Sequence, residues 1–215
     1  MIKSILACTD GSEHGDAASD YAITLARQLK ARLCGLHVLD SRMLEGPLMA
    51  DISGWLGAEP FSAQLTHFRQ LMEQKGAAVM ESFQTRCAAQ GVPAEVKVST
   101  GLPARVILEE EARAELVVLG QQGEHAEWTG DLAGSTVERV TRHSLKPCLV
   151  TPIAFQPVTK ILAGYDGSGH ASRALHEAIE LAAALAVPLV ILVAAENADE
   201  VGPAHEKAED AMKLA

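Results

Sequence analysis

A chain of 215 residues with 48% apolar content can build a real hydrophobic core, in one large domain or in one and a half ordinary ones. A formal net charge of −10, with no Lys/Arg-rich run, gives no footprint for gripping a phosphate backbone, so nucleic acid is not an expected partner. The longest apolar run, Pro188 to Ala195, is too short to span a bilayer and the N-terminal residues lack the pattern of a secretory signal, so a cytoplasmic protein without a membrane partner is expected.

In chain order, Ile5 to Cys8 reads as a short buried strand running into Thr9-Asp10-Gly11-Ser12. An amphipathic helix follows, because Ala18, Ala22, Leu25, Ala26 and Leu29 share one face, and then a second apolar strand. Ser41 to Phe61 is a long irregular stretch. Its apolar part, Met43 to Leu56 with Ile52 and Trp55, is either a partner-binding surface or lid, or a segment folded back onto the core. A helix is predicted from about Ser62 to Gln90, stopped by Gly91-Val92-Pro93. Ala94 to Ser99 reads as a third strand, Gly101-Leu102-Pro103 starts a helix running to about Arg113, and Glu115 to Leu119 is a buried fourth strand. After the glycine-containing stretch GQQGEHAEWTGDLAGST, residues 120–136, come a helix from Gly134 to Leu145 and a fifth strand from Pro147 to Thr151.

At an offset of 156, residues 5–36 match 161–192 at 15 of 32 positions without a gap, so the first strand-helix-strand unit is duplicated. The second copy adds only the start of a helix at Glu206 to Ala215. The expected organisation is a first domain at 1–152, a linker at 153–159 and a partial second copy at 160–215, with the natural chain continuing for about 80 residues by analogy with the unmatched part of the first repeat. Alternating strands and helices argue for a parallel α/β sheet covered on both faces. The four cysteines, Cys8, Cys34, Cys87 and Cys148, form no CxxC or Cys/His cluster and read as reduced, mostly buried thiols, with neither a disulfide framework nor a metal site.

In open α/β sheets ligands bind beyond the carboxyl ends of strands, where the strand order reverses. With the order 3-2-1-4-5 that point lies between the first and fourth strands, which end at Asp10 and at Gly120. Asp10 would repel phosphate but accept hydrogen bonds from a ribose or an adenine. Gly120 and Gly123 permit close backbone approach, and Gly134-Ser135-Thr136 offers a helix N-terminus to an anion. The same residues also suit a strand end, a turn and a simple helix cap. His14 and His170 sit at equivalent helix starts, either exposed or near a phosphate. His125 lies in an acidic loop, beside Glu124 and Glu127, where exposure outweighs metal binding. No nucleophile, general base, P-loop lysine or kinase motif set can be defended, so a true hydrolase or kinase is the least supported reading.

The Asp-Gly-Ser after the first strand, Gly101-x-Pro103-Ala104, Glu115 to Leu119, and Gly120-x-x-Gly123 with a later Gly134-Ser135 together resemble the universal stress protein family, over residues 1–152 in full and again over 159–215 in part. The resemblance implies a Rossmann-like five-stranded domain of order 3-2-1-4-5, dimerisation through the fifth strand, and in one subgroup ATP binding without an obvious catalytic apparatus. Carried over, Asp10 and the backbone of Val38 would meet the adenine and ribose end, Thr9 and Leu119 would wall the base, Gly120 and Gly123 would line ribose and phosphates, and Gly134, Ser135 and Thr136 would hold phosphate oxygens. Two departures stand out. Ten residues separate Gly123 from Gly134, one more than in the family's nucleotide-binding pattern, which puts Ala133 at the third glycine's place. The intervening segment also carries Glu124, Glu127 and Asp131 and no Lys or Arg, which is unfavourable beside a triphosphate unless the carboxylates point away or a divalent cation such as Mg²⁺ intervenes.

The expected function is therefore a tandem-type, cytoplasmic stress-response protein binding an adenine nucleotide, ATP, as a sensor or regulator with slow turnover or none. The rival is a nucleotide-free scaffold acting through protein association. The two copies are expected to pair as a pseudo-dimer through Cys148 to Thr151, or the chain to self-associate there. Replacing Gly123 with a β-branched residue, or Asp10 with Ala, is expected to abolish nucleotide binding with little change in thermal stability.

Overall fold

The computed structural model describes residues 2–45, 58–124, 134–195, 197 and 201–214, the side chains of 44–45 and 58–65 excepted. Ile52, Trp55 and Leu56 of the apolar stretch, and His125, Glu127, Asp131 and Ala133 of the acidic loop, lie outside the described residues. The chain divides into two compact units, one spanning Lys3–Phe155 and the other the residues from Gln156 onward.

The first unit begins with strand β1 (Ser4–Cys8), whose residues from Ile5 onward are buried. Helix α1 (Glu13–Leu29) starts at Ser12, whose side chain accepts from the Gly15 N–H, and carries Glu13 and Asp16 in its first turn, where a carboxylate suits the helix dipole. It ends on Lys30 in the left-handed conformation. Strand β2 (Arg32–Asp40) runs directly into a short helix, α2 (Ser41–Glu45). A 32-residue helix, α3 (Ala58–Ala89), starts four residues before its predicted first residue and buries Met80, Phe83 and Cys87. Strand β3 (Ala94–Gly101) leads into α4 (Pro103–Glu110), where Pro103 sits in the first turn because its missing N–H would have no intrahelical partner there. The predicted helix to Arg113 tightens into a 3₁₀ turn at Glu111–Arg113. At that turn the buried Glu111 carboxylate accepts from Ser144 Oγ (2.5 Å) and from the Leu145 N–H (3.0 Å). Strand β4 (Leu116–Gly120), helix α5 (Ser135–His143) and strand β5 (Cys148–Thr151) complete the unit.

All five strands are parallel, in the order β3-β2-β1-β4-β5. This is the predicted Rossmann-like order. Helices cover both faces: α1 packs on β1, β4 and β5 and α3 on β2 and β3, while the opposite face is closed by α4 and α5. There Val106, Ile107, Val137 and Val140 meet Leu6, Leu36, Val117 and Leu119. Each such side chain, buried fully, contributes roughly 1.5–3 kcal/mol. Arg86 of α3 ties the two helices of the first face together, reaching Asp16 and Asp20 of α1 at 2.5 and 3.0 Å.

The second unit holds β6 (Ile161–Gly164), α6 (Gly169–Leu185), β7 (Leu189–Leu192) and α7 (Val201–Leu214), the last starting five residues before its predicted position. Its parallel pair repeats the first unit at the 156-residue offset: Ile161 faces Leu189 as Ile5 faces Leu33. Gly167 has a φ of 86° where Gly11 has 79°, and Ala186 ends α6 with the same φ of 54° as Lys30. Ser168 caps α6 as Ser12 caps α1, and Tyr165 N–H donates to Leu192 as Thr9 N–H does to Leu36. The duplication therefore extends to individual hydrogen bonds. Burial is not repeated, because Leu162 and Leu192 are exposed where Leu6 and Leu36 are buried. In the first unit that face is covered by α4 and α5, for which the second copy has no counterpart in sequence. No helix among the described residues is long and apolar enough to cross a membrane.

Candidate functional site

At the carboxyl end of the sheet, a cleft of about 250 Å³ opens where the chain leaves β1 in one direction and β4 in the other. All nine residues singled out from the sequence, Thr9, Asp10, Val38, Leu119, Gly120, Gly123, Gly134, Ser135 and Thr136, line it. Their convergence follows from topology, since β1 and β4 are neighbours and their following loops leave on opposite sides.

Val38 is placed by the relative lengths of the strands. β1 pairs with β2 only as far as Leu36, whereas β2 continues beside β3 to Asp40. Peptide groups alternate sides along a strand, and Leu36 O accepts from Thr9 N–H on the β1 side, so the Val38 N–H and C=O point to the same side, beyond the end of β1. That presents one backbone donor and one acceptor at the edge of the cleft, which Val38 lines. Leu36, Ile107, Leu119 and Met72 supply apolar wall around them.

Asp10 is more committed than the sequence suggests. Its Oδ1 accepts from the Ser12 N–H (3.0 Å) and the Ser12 hydroxyl (2.6 Å), and its Oδ2 accepts from the Glu124 N–H (2.7 Å). The carboxylate thus latches the loop after β1 to the loop after β4, and retains acceptor capacity on Oδ2 alone. The glycines divide accordingly. A Cβ on Gly123 would stand 2.7 Å from Asp10 Oδ2, and one on Gly120 would stand 2.7 Å from the His14 carbonyl oxygen. Both positions are glycine because the fold needs the space. A Cβ on Gly134 meets nothing closer than 3.6 Å, and its φ of −66° suits any residue. Among the described groups, no side chain caps α5 there. Its first-turn N–H groups face the cleft as an anion site would require.

Sequence reasoning missed several lining residues. His37 is buried and donates from Nδ1 to the Thr9 carbonyl (2.9 Å), which fixes its tautomer and leaves Nε2 as an acceptor. Arg42 forks onto Asp40, its Nε lying 2.9 and 3.0 Å from the two carboxylate oxygens. Lys75 of α3 pairs with Glu124. The position of Arg42 just past the end of β2 is a signal that could have been read. Lys75 lies in mid-helix and carries none. His14 is half-buried, with Nδ1 lacking a hydrogen-bond partner among the described residues, while its counterpart His170 is exposed.

All four cysteines are free, Cys8 and Cys87 buried and the other two half-buried. Burial pushes the Cys8 thiol far up, with Cys148 and Cys34 adding to it, and burial raises Cys87 to about 11. Cys8 lines the cleft, and burial favours its protonated thiol over the thiolate. Among the described residues no group of three or more His, Cys, Asp or Glu could hold a metal ion.

The family model for universal stress proteins matches residues 1–152. The chain belongs to the universal stress protein family. A universal stress protein of Synechocystis sp. is 31% identical over 182 residues, covering 81% of this chain and 63% of the relative, so the chain spans less than two thirds of that protein's length. One from Methanocaldococcus jannaschii is 27% identical over 155 residues, covering 70% of this chain and 82% of its own. The crystal structure of a universal stress protein from Archaeoglobus fulgidus superposes with a TM-score of 0.67 over 98% of this chain and 73% of that one. At 19% identity this is a likeness of fold.

Proposed function

We propose that the first unit binds an adenine nucleotide, ATP, in the cleft between β1 and β4, and that the protein acts in the cytoplasm as a stress-response sensor or regulator rather than an efficient catalyst. The observation that carries this reading is that the nine residues to which the family resemblance assigns the nucleotide all line one cleft, together with a helix N-terminus whose glycine the packing does not require. The Val38 backbone and apolar wall take the base, Asp10 Oδ2 and Gly123 border the ribose, and Gly134, Ser135 and Thr136 hold phosphate oxygens. Lys75 answers the charge of Glu124, which meets part of the objection raised by an acidic loop. Mg²⁺ would be carried by the phosphates, as is usual for that ion. Equilibrium binding of ATP with and without Mg²⁺ tests the reading, and absence of binding in both conditions would favour the nucleotide-free scaffold.

The domain reading is part of the proposal: a complete universal stress domain at 1–152, a linker at 153–159 and a partial second copy at 160–215, supported by the repeated register and caps. Strand β5 ends its sheet and exposes Val150, which supports self-association or an intrachain pseudo-dimer along Cys148–Thr151. Light scattering of the wild type and Val150→Glu measures this. A dimer lost in the variant fits intermolecular pairing, and an unchanged dimer excludes the edge as its interface.

A further inference from the structure

A second cavity, of about 420 Å³, lies between α4 and α5 and shares Arg42, Pro103, Ser135 and Thr136 with the cleft. Arg105 and Glu109 of α4 line one side, and Arg139 and His143 of α5 the other. Three guanidinium groups and an imidazole therefore meet one carboxylate, in a chain whose net charge is −10. Glu109 is bound to Arg105 (2.9 Å) and Arg42 is clamped on Asp40. Arg139 makes no ion pair among the described residues. His143 donates from Nδ1 to the Arg139 carbonyl (2.8 Å), which turns its other nitrogen outward from the helix backbone.

The two cavities are complementary in charge and size. In the cleft, each of the two cations is already matched by a carboxylate, Lys75 by Glu124 and Arg42 by Asp40, so it offers backbone N–H groups but little unbalanced positive charge. Its volume also falls below the ~300 Å³ at which small-molecule sites begin, whereas the two cavities together fall well inside the range. Planar guanidinium groups fit phosphate oxygens bidentately and keep their charge at any physiological pH. Resting on the nucleotide reading above, we propose that the distal phosphates of the nucleotide pass Ser135 and Thr136 into the cavity between α4 and α5. There Arg139, whose guanidinium has no carboxylate partner among the described residues, holds them and selects nucleoside triphosphates over monophosphates.

The test is calorimetric titration of the wild type and of Arg139→Gln with ATP, ADP and AMP, with inorganic tripolyphosphate as a competitor. Arg139 is exposed, and an unchanged melting temperature checks that the variant folds. The expected wild-type order is ATP over ADP over AMP, with about tenfold or more between the ends. Arg139→Gln should erase most of that difference with AMP affinity unchanged, and tripolyphosphate should displace ATP from the wild type more readily than from the variant. Equal loss of ATP and AMP affinity, or no change in either, would overturn the proposal while leaving nucleotide binding standing. A wild type that binds none of the three nucleotides would overturn the nucleotide reading and this selectivity with it.

Discussion

Gly134 differs in kind from the other two glycines of its loop. Gly120 and Gly123 give room to the His14 carbonyl and the Asp10 carboxylate, so substitutions there disturb the fold as well as any ligand. A β-branched residue at 123 would press on the Asp10 carboxylate, so a loss of stability is expected there beside any loss of binding. The same holds for Asp10→Ala, which removes the latch to Ser12 and Glu124 and should cost roughly 1.5–3 kcal/mol, the usual value for hydrogen bonds to a charged group. Gly134→Ala is the clean probe. It should cost under about 1 kcal/mol, the scale of an N-cap change, while the added methyl, 3.6 Å from Gln122 and 3.9 Å from the Gly123 nitrogen, narrows the gap between the two glycine positions and lowers ATP affinity roughly tenfold. Chemical denaturation and ATP titration of both variants separate the two effects. Loss of stability in Gly134→Ala comparable to that in Asp10→Ala would contradict this division of roles.

At the scale of elements, the duplication supplies its own control. Leu36 and Leu192 occupy equivalent places on β2 and β7, yet Leu36 is 1% exposed under α4 and Leu192 is 53% exposed. Leu36→Ala should cost 2–5 kcal/mol, as buried leucines generally do, and Leu192→Ala about 0.5 kcal/mol or less. Denaturation followed by circular dichroism measures both, and a large effect at Leu192 would mean that a partner covers that face in solution. The strands and most helix limits were legible because periodicity, Gly91-Val92-Pro93 and Pro103 mark them locally. The early start of α3 was not, because Ala58 to Phe61 carries Pro60 and no apolar repeat. Nor was the 3₁₀ turn, which involves a buried contact between Glu111 and Ser144, 33 residues away. In the site, the positions fixed by strand ends and turns could be read from sequence. Lys75, His37 and Arg139 could not, because only the packing of α3, β2 and α5 brings the first two to the cleft and the third to the cavity beside it.

For the whole molecule, one unit carries a complete mouth and the other only its Asp166-Gly167-Ser168 half, with no glycine loop in the sequence to close it. The chain carries a net charge of −10, whereas the cavity between α4 and α5 is lined by Arg42, Arg105 and Arg139 with Glu109. The account's central claim is that the β1/β4 cleft binds an adenine nucleotide. Isothermal titration of the purified protein with ATP, in the presence and absence of Mg²⁺, measures it most directly. Saturable binding, weakened in Gly134→Ala, is the predicted result. No saturable binding up to millimolar ATP under either condition would contradict it.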